Sequence, residues 1–129
     1  MEILGIGIDI VKKERIRNIF NKYKDKFVKR ILNSKEINLL EIKKDKIEFI
    51  SKCFALKEAT AKAIGTGFRK KIIPKNIIIK NNKLGKPIIK VENFKLKNKK
   101  IYATISHEKD NTIALVIITK KLIAKQNFH

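Results

Sequence analysis

The sequence predicts an α+β fold, with a mostly antiparallel sheet packed against one long helix. Three observations lead there. A glycine-broken apolar strand opens the chain, helical spacing and helix caps are confined to residues 12–65, and strand-like runs separated by turn residues fill residues 72–119. With 129 residues and 43% hydrophobic content, one domain over residues 1–129 can bury its own core.

Residues Glu2 to Val11 read as the first strand, with Leu4, Ile6, Ile8 and Ile10 on one face and Gly5, Gly7 and Asp9 on the other. The glycines leave the second face bare, so backbone or ligand can come close beside the Asp9 carboxylate. Lys12 to about Lys24 reads as helix, with Ile16, Ile19, Phe20 and Tyr23 at helical spacing, and Phe27 to Leu32 as a second short helix. Asn33 followed by Glu36 is a capping box for a third.

The longest helix runs from Asp45, with Glu48 at its third position, to Gly65. Ile47, Ile50, Phe54, Ala61 and Ile64 make its main apolar stripe, while Phe49 and Leu56 lie nearly opposite. Glu58 projects roughly 60° from the stripe centre and is expected to be half buried. Lys62, four residues on, is placed to pair with it for about 0.2–0.5 kcal/mol. That pairing does not explain an acid bordering apolar surface, where desolvation is costly.

Ile72 to Lys80, Pro87 to Val91, Lys100 to Ser106 and Thr112 to Thr119 read as strands, with Asn81 to Gly85 as the turn between the first two. The last strand is apolar on both faces and is expected to be central. The polar tail from Lys120 is expected to fray.

The chain carries 32 Lys+Arg against 12 Asp+Glu, a formal net charge of +20. This charge raises the alternative of a small basic nucleic-acid-binding protein without catalytic activity. Against it stand the scarcity of arginine for base readout and the absence of finger spacing or an aromatic RNP motif. No run approaches the roughly 18 apolar residues of a membrane span, and the acidic, glycine-broken start is not expected to act as a signal peptide. One cysteine, Cys53, precludes an internal disulfide and fits the reducing cytoplasm.

Gly5-Ile6-Gly7 lacks the third glycine of a dinucleotide fingerprint. Two histidines and one cysteine without close spacing argue against structural zinc. Ser106 and His107 are sequence neighbours, which is poor geometry for a nucleophile and its base. Asp9 on its own reads equally as a cap for the following helix. Two carboxylates in apolar settings suit a hard cation with phosphate ligands.

In order, the blocks are G-I-G-I-D-I-V with Arg15 downstream, R-I-L with Glu36 following, F-A-L-K-E-A-T-A-K-A-I-G-T-G, G-K-P at Gly85 to Pro87, and T-I-S-H at Thr104 to His107. Together they resemble the holo-acyl-carrier-protein synthases, a family of 4′-phosphopantetheinyl transferases, from Gly5 to about Thr119. The resemblance implies the 4′-phosphopantetheinyl transferase fold and transfer of 4′-phosphopantetheine from coenzyme A to a serine of apo-acyl carrier protein, in support of fatty acid biosynthesis. It also implies a homotrimer with the active cleft between adjacent subunits.

By position, Asp9 and Glu58 would hold Mg²⁺ and, with Lys62, act in catalysis. Lys62, Gly65, Thr66, Gly67, Pro87 and His107 would contact coenzyme A. Arg15 would receive the acidic carrier protein, in a first-helix cluster with Lys12, Lys13 and Lys22. Asp9, Glu58 or a metal-bound water could each take the serine proton. Cys53 departs from the pattern, standing where an arginine is expected, so the nucleotide end of coenzyme A would be held through lysines instead. The resemblance carries most of the trimer expectation; Phe49 and Leu56, off the main helix stripe, add to it.

Overall fold

The computed structural model describes residues 1–65, 72–94 and 97–121. β1 (Glu2–Lys12) leads into α1 (Lys13–Tyr23), α2 (Asp25–Ile31), α3 (Ser34–Ile42) and α4 (Lys46–Ile64). A 3₁₀ turn (Pro74–Asn76) then precedes β2 (Ile77–Asn81), β3 (Pro87–Val91), β4 (Lys99–His107) and β5 (Asn111–Lys120). Among the described residues, no helix is long and apolar enough to cross a membrane.

Local rules set most of the boundaries. Asn33 accepts from the Glu36 amide at 2.9 Å while Glu36 accepts from the Asn33 amide at 3.1 Å, the reciprocal box that starts α3. Asp45 accepts from the Glu48 amide at 2.9 Å, and Gly65 closes α4 at φ 94°, a conformation costly for any residue with a Cβ. The strand expected from Ile72 begins only at Ile77, because Pro74 opens a 3₁₀ turn whose Ile73 amide is taken by the Asn76 side chain. Gly85, at φ 83°, turns β2 into β3. The frayed tail expected from Lys120 lies, beyond Lys121, outside the described residues.

β5 is central as expected, in a three-stranded antiparallel sheet ordered β1-β5-β4. Register pairs Gly7 with Val116, Asp9 with Ala114 and His107 with Thr112. β2 and β3 form a separate antiparallel hairpin. α4 crosses one face of the sheet and is buried nearly all round, with Ile50, Ala55, Leu56, Ala59 and Ala61 in a single core cluster shared with β5 and the hairpin.

Leu56 is buried inside one chain, at 3% exposure, so it offers no reason for a second subunit. The apolar residues left uncovered are elsewhere. Ile6, Ile8 and Ile10 on β1 are 57–63% exposed, and Leu4 and Ile113 share their exposure. The reason is the glycines on the opposite face. A Cβ on Gly5 would lie 1.8 Å from the Ala63 carbonyl oxygen, and one on Gly7 would lie 1.8 Å from that of Ala59. The glycine face of β1 therefore seats directly on the α4 backbone, which turns the isoleucine face outward.

Candidate active site

This close seating positions the first group of functional side chains. Asp9 follows the two glycines on the same face of β1, and Lys62 stands one turn beyond Glu58 on α4. The Lys62 ammonium donates to Asp9 Oδ1 at 3.2 Å and to the Ile8 carbonyl at 3.0 Å. Lys62 thus pairs across elements with Asp9, not along its own helix with Glu58. The Asp9 side chain is largely enclosed, at 13% exposure, so a cationic partner offsets the cost of burying its charge. Asp9 also supplies no N-cap bond: Lys12 holds that position, without a side-chain cap.

Burial pushes the Asp9 carboxyl above the ordinary carboxylate range, against the opposing pull of Lys62 and Arg15. Glu58, half buried as expected, is raised by burial and then by the negative charge of Asp9, again opposed by Lys62 and Arg15. Each carboxylate senses its neighbours, so Asp9, Glu58, Lys62 and Arg15 form one electrostatic unit. Asp9 Oδ2 is buried and has no hydrogen-bond partner. An orphaned carboxylate oxygen beside a second carboxylate is costly unless a cation completes it. Among the described residues no group of three potential metal ligands occurs. Two carboxylates suffice for Mg²⁺, which commonly keeps waters and substrate phosphates in its remaining positions.

Gly65 lies at the end of α4, one turn from Lys62; Thr66 and Gly67 fall outside the described residues. The remaining expected residues lie apart from this group. Pro87 opens β3 and, with Lys52, Cys53, Lys80 and Gly85, lines a cavity of about 140 Å³ between α4 and the hairpin. Cys53 is buried there and its thiol is pushed up to about 12, chiefly by burial, so it is an inert wall. His107 ends β4, its Nδ1 2.8 Å from Glu48 Oε1. Glu48 and Glu58 are ten residues apart on α4, about 15 Å along the axis. Within one chain, His107 is therefore not brought up to the carboxylates, and Pro87 lines a cavity that neither carboxylate lines.

Residues 5–117 match the 4′-phosphopantetheinyl transferase superfamily. The chain belongs to that family. It is 42% identical over 126 residues to the holo-[acyl-carrier-protein] synthase of Buchnera aphidicola subsp. Schizaphis graminum, covering 93% of this chain and 100% of that protein. It is 45% identical over 125 residues to the synthase of Ehrlichia chaffeensis, covering 93% and 99%. Among solved structures it resembles the synthase of Neisseria meningitidis, with a TM-score of 0.86, 33% identity and coverage of 92% and 99%. The synthase of Bacillus anthracis in complex with CoA (3′,5′-ADP) gives a TM-score of 0.83 at 34% identity, covering 94% and 100%. The fold is that of this transferase family.

Two features of this family member escaped the sequence reading. Glu48 does not complete a capping box; its carboxylate faces His107 and, at 3.5 Å, the nearly buried Lys13. Lys13 is thereby withdrawn from the basic surface of α1. Lys57 is wholly buried against Glu36 at 2.6 Å. Its signal was a lysine directly after the apolar run Phe54-Ala55-Leu56, at a position that needs a buried partner if it faces the core.

Proposed function

We propose that this chain transfers the 4′-phosphopantetheine moiety of coenzyme A to a serine of apo-acyl carrier protein, leaving holo-acyl carrier protein and adenosine 3′,5′-bisphosphate, as one 4′-phosphopantetheinyl transferase domain over residues 1–129. The observation that carries the reading is the unit of Asp9, Glu58 and Lys62, with the orphaned Asp9 Oδ2, inside a chain that matches the family over residues 5–117. Asp9 and Glu58 would hold Mg²⁺, which when bound supplies charge neutralisation at the pyrophosphate oxygens. Lys62, half exposed and already aimed at Asp9, supplies a mobile positive charge to the phosphate that departs with the nucleotide. Nothing beyond net charge favours the nucleic-acid alternative.

Pro87, Lys52 and His107 are assigned to the coenzyme A side of the site. Their distance from the carboxylates is met by a homotrimer in which one subunit's hairpin and β4 end complete its neighbour's cleft. The uncovered isoleucine face of β1 supports this assembly, since a contiguous apolar sheet face calls for a cover. Carrier docking is assigned to Arg15, whose charge reaches both carboxylates, with Lys12, Arg17 and Lys109 around the adjoining groove of about 340 Å³. Lys22, in the last turn of α1, lies over the Tyr23 ring and is a peripheral part of that surface. The buried free thiol of Cys53 is consistent with a cytoplasmic setting.

The test is mass spectrometry of apo-carrier protein incubated with the protein, coenzyme A and Mg²⁺, where the carrier should gain the phosphopantetheine mass. Glu58→Gln, which keeps shape but removes the charge, should lower the rate by at least about 100-fold. Wild-type turnover by that variant with Mg²⁺ limiting would refute the carboxylate assignment.

A further inference from the structure

The Lys57 and Glu36 pair takes no part in the chemistry proposed above, yet both side chains are almost completely enclosed, at 0% and 2% exposure. The Lys57 ammonium donates to the Ile31 carbonyl at 2.8 Å, to Glu36 Oε1 at 2.6 Å and to the Pro74 carbonyl at 3.0 Å. All three of its protons are accounted for. Glu36 Oε1 also accepts from the Asn33 amide, and Oε2 accepts from the Ile79 amide at 2.9 Å. One buried ion pair therefore joins the end of α2, the start of α3, the 3₁₀ turn and β2 to α4.

The bond to Ile79 has the greatest consequence. Among the described residues β2 pairs only with β3 and has no strand on its other edge, and an isolated hairpin is marginally stable in water. Glu36 stands where a third strand's carbonyl would be and holds that edge. Ile79, together with Lys80, Gly85 and Pro87 of the hairpin, forms one wall of the 140 Å³ cavity, and Lys52 and Cys53 of α4 form the other. The carboxylate can be buried there because Lys57 neutralises it. Burial alone lowers the Lys57 pKa, and Glu36 opposes that shift.

We infer that Lys57 and Glu36 are positioning residues that fix the β2–β3 hairpin against α4 and so set the affinity for the nucleotide end of coenzyme A. The inference rests on the assignment of the Pro87 cavity to coenzyme A. The pair acts on the hairpin and not on the carboxylates, because the seating of α4 on β1 is governed separately by Gly5 and Gly7. Next to Glu58 in sequence, Lys57 points the other way, into the junction with α2 and α3.

Removing one partner strands a buried charge, so the informative variant removes both: Glu36→Met with Lys57→Met, a replacement that buried pairs often tolerate. The double variant should fold, raise the KM for coenzyme A by at least about tenfold and keep kcat and the KM for carrier within about threefold of wild type. An unchanged coenzyme A KM, or a fall in kcat without a change in KM, would overturn the inference. Lys52→Glu separates this from the underlying assignment: if it leaves the coenzyme A KM unchanged, the cavity is not the nucleotide site. If it raises that KM while the double variant does not, only the positioning role fails. Should the double variant not fold, amide hydrogen exchange of the unaltered protein decides. The Ile79 amide should exchange at least about 100-fold more slowly than an unprotected edge amide, and exchange at the unprotected rate would overturn the inference.

Discussion

Gly7→Ala is the smallest perturbation that tests how the site is assembled. The added Cβ would lie 1.8 Å from the Ala59 carbonyl oxygen, 2.7 Å from the Ala63 nitrogen and 2.9 Å from the Ala59 carbonyl carbon. All three are backbone atoms of α4, so no side-chain rotation relieves the clash. Opening even to 3.0 Å requires strand and helix to part by about 1.2 Å. Overpacking of this kind costs about 1–3 kcal/mol, partly offset by about 0.4–1 kcal/mol from the smaller conformational freedom of alanine in the unfolded chain. The melting temperature should fall by up to about 10 °C.

The catalytic effect should be larger than the stability effect. The parting runs directly between the strand that carries Asp9 and the helix that carries Glu58 and Lys62, whose ammonium now reaches Asp9 at 3.2 Å. A misplacement of about 1 Å at reacting groups can cost about 100-fold, so kcat should drop by that order while the variant remains folded. The assays are a thermal melt and steady-state transfer of the phosphopantetheine group under saturating coenzyme A. A Gly7→Ala protein with wild-type kcat and melting temperature would show that α4 does not seat on β1 as described.

Two further outcomes follow from the same geometry. Asp9 and Glu58 are raised above their ordinary values of 3.8 and 4.5, so the folded state binds more protons than the unfolded state above those values. The metal-free protein should therefore lose stability as pH rises from the ordinary carboxylate range through the raised pKa values, and Mg²⁺ should restore it above that window. The contribution is read as the difference between wild type and Asp9→Asn in paired melts across pH, and a difference that does not change with pH or Mg²⁺ would refute it. Ile8→Asp on the exposed face of β1 should convert a particle of three chain masses into one of a single mass by light scattering, with loss of transfer activity. An active single-chain particle in either protein would refute the shared cleft.

Features governed by neighbours in the chain were legible in the sequence. The Asn33 and Glu36 box, the Asp45 cap, the Gly65 stop and the Gly85 turn depend on bonds or torsions within about four residues, and each stands where the residues predict it. The unbroken apolar run of β5 placed it at the centre of its sheet, because an apolar strand with no polar face belongs away from the edge. The two carboxylates also stood out, as acids in apolar settings. What a side chain meets across the core obeys no such local rule. Lys62 lies four residues from Glu58 but bonds Asp9, 53 residues away, and Glu36 caps its own helix while holding Lys57, 21 residues away. The sequence put the isoleucines of β1 on one face without saying what covers it, and the tertiary structure turns that face outward. Two glycines let a helix backbone approach more closely than any side-chain face allows, and only the packed chain decides which surface that close contact leaves bare.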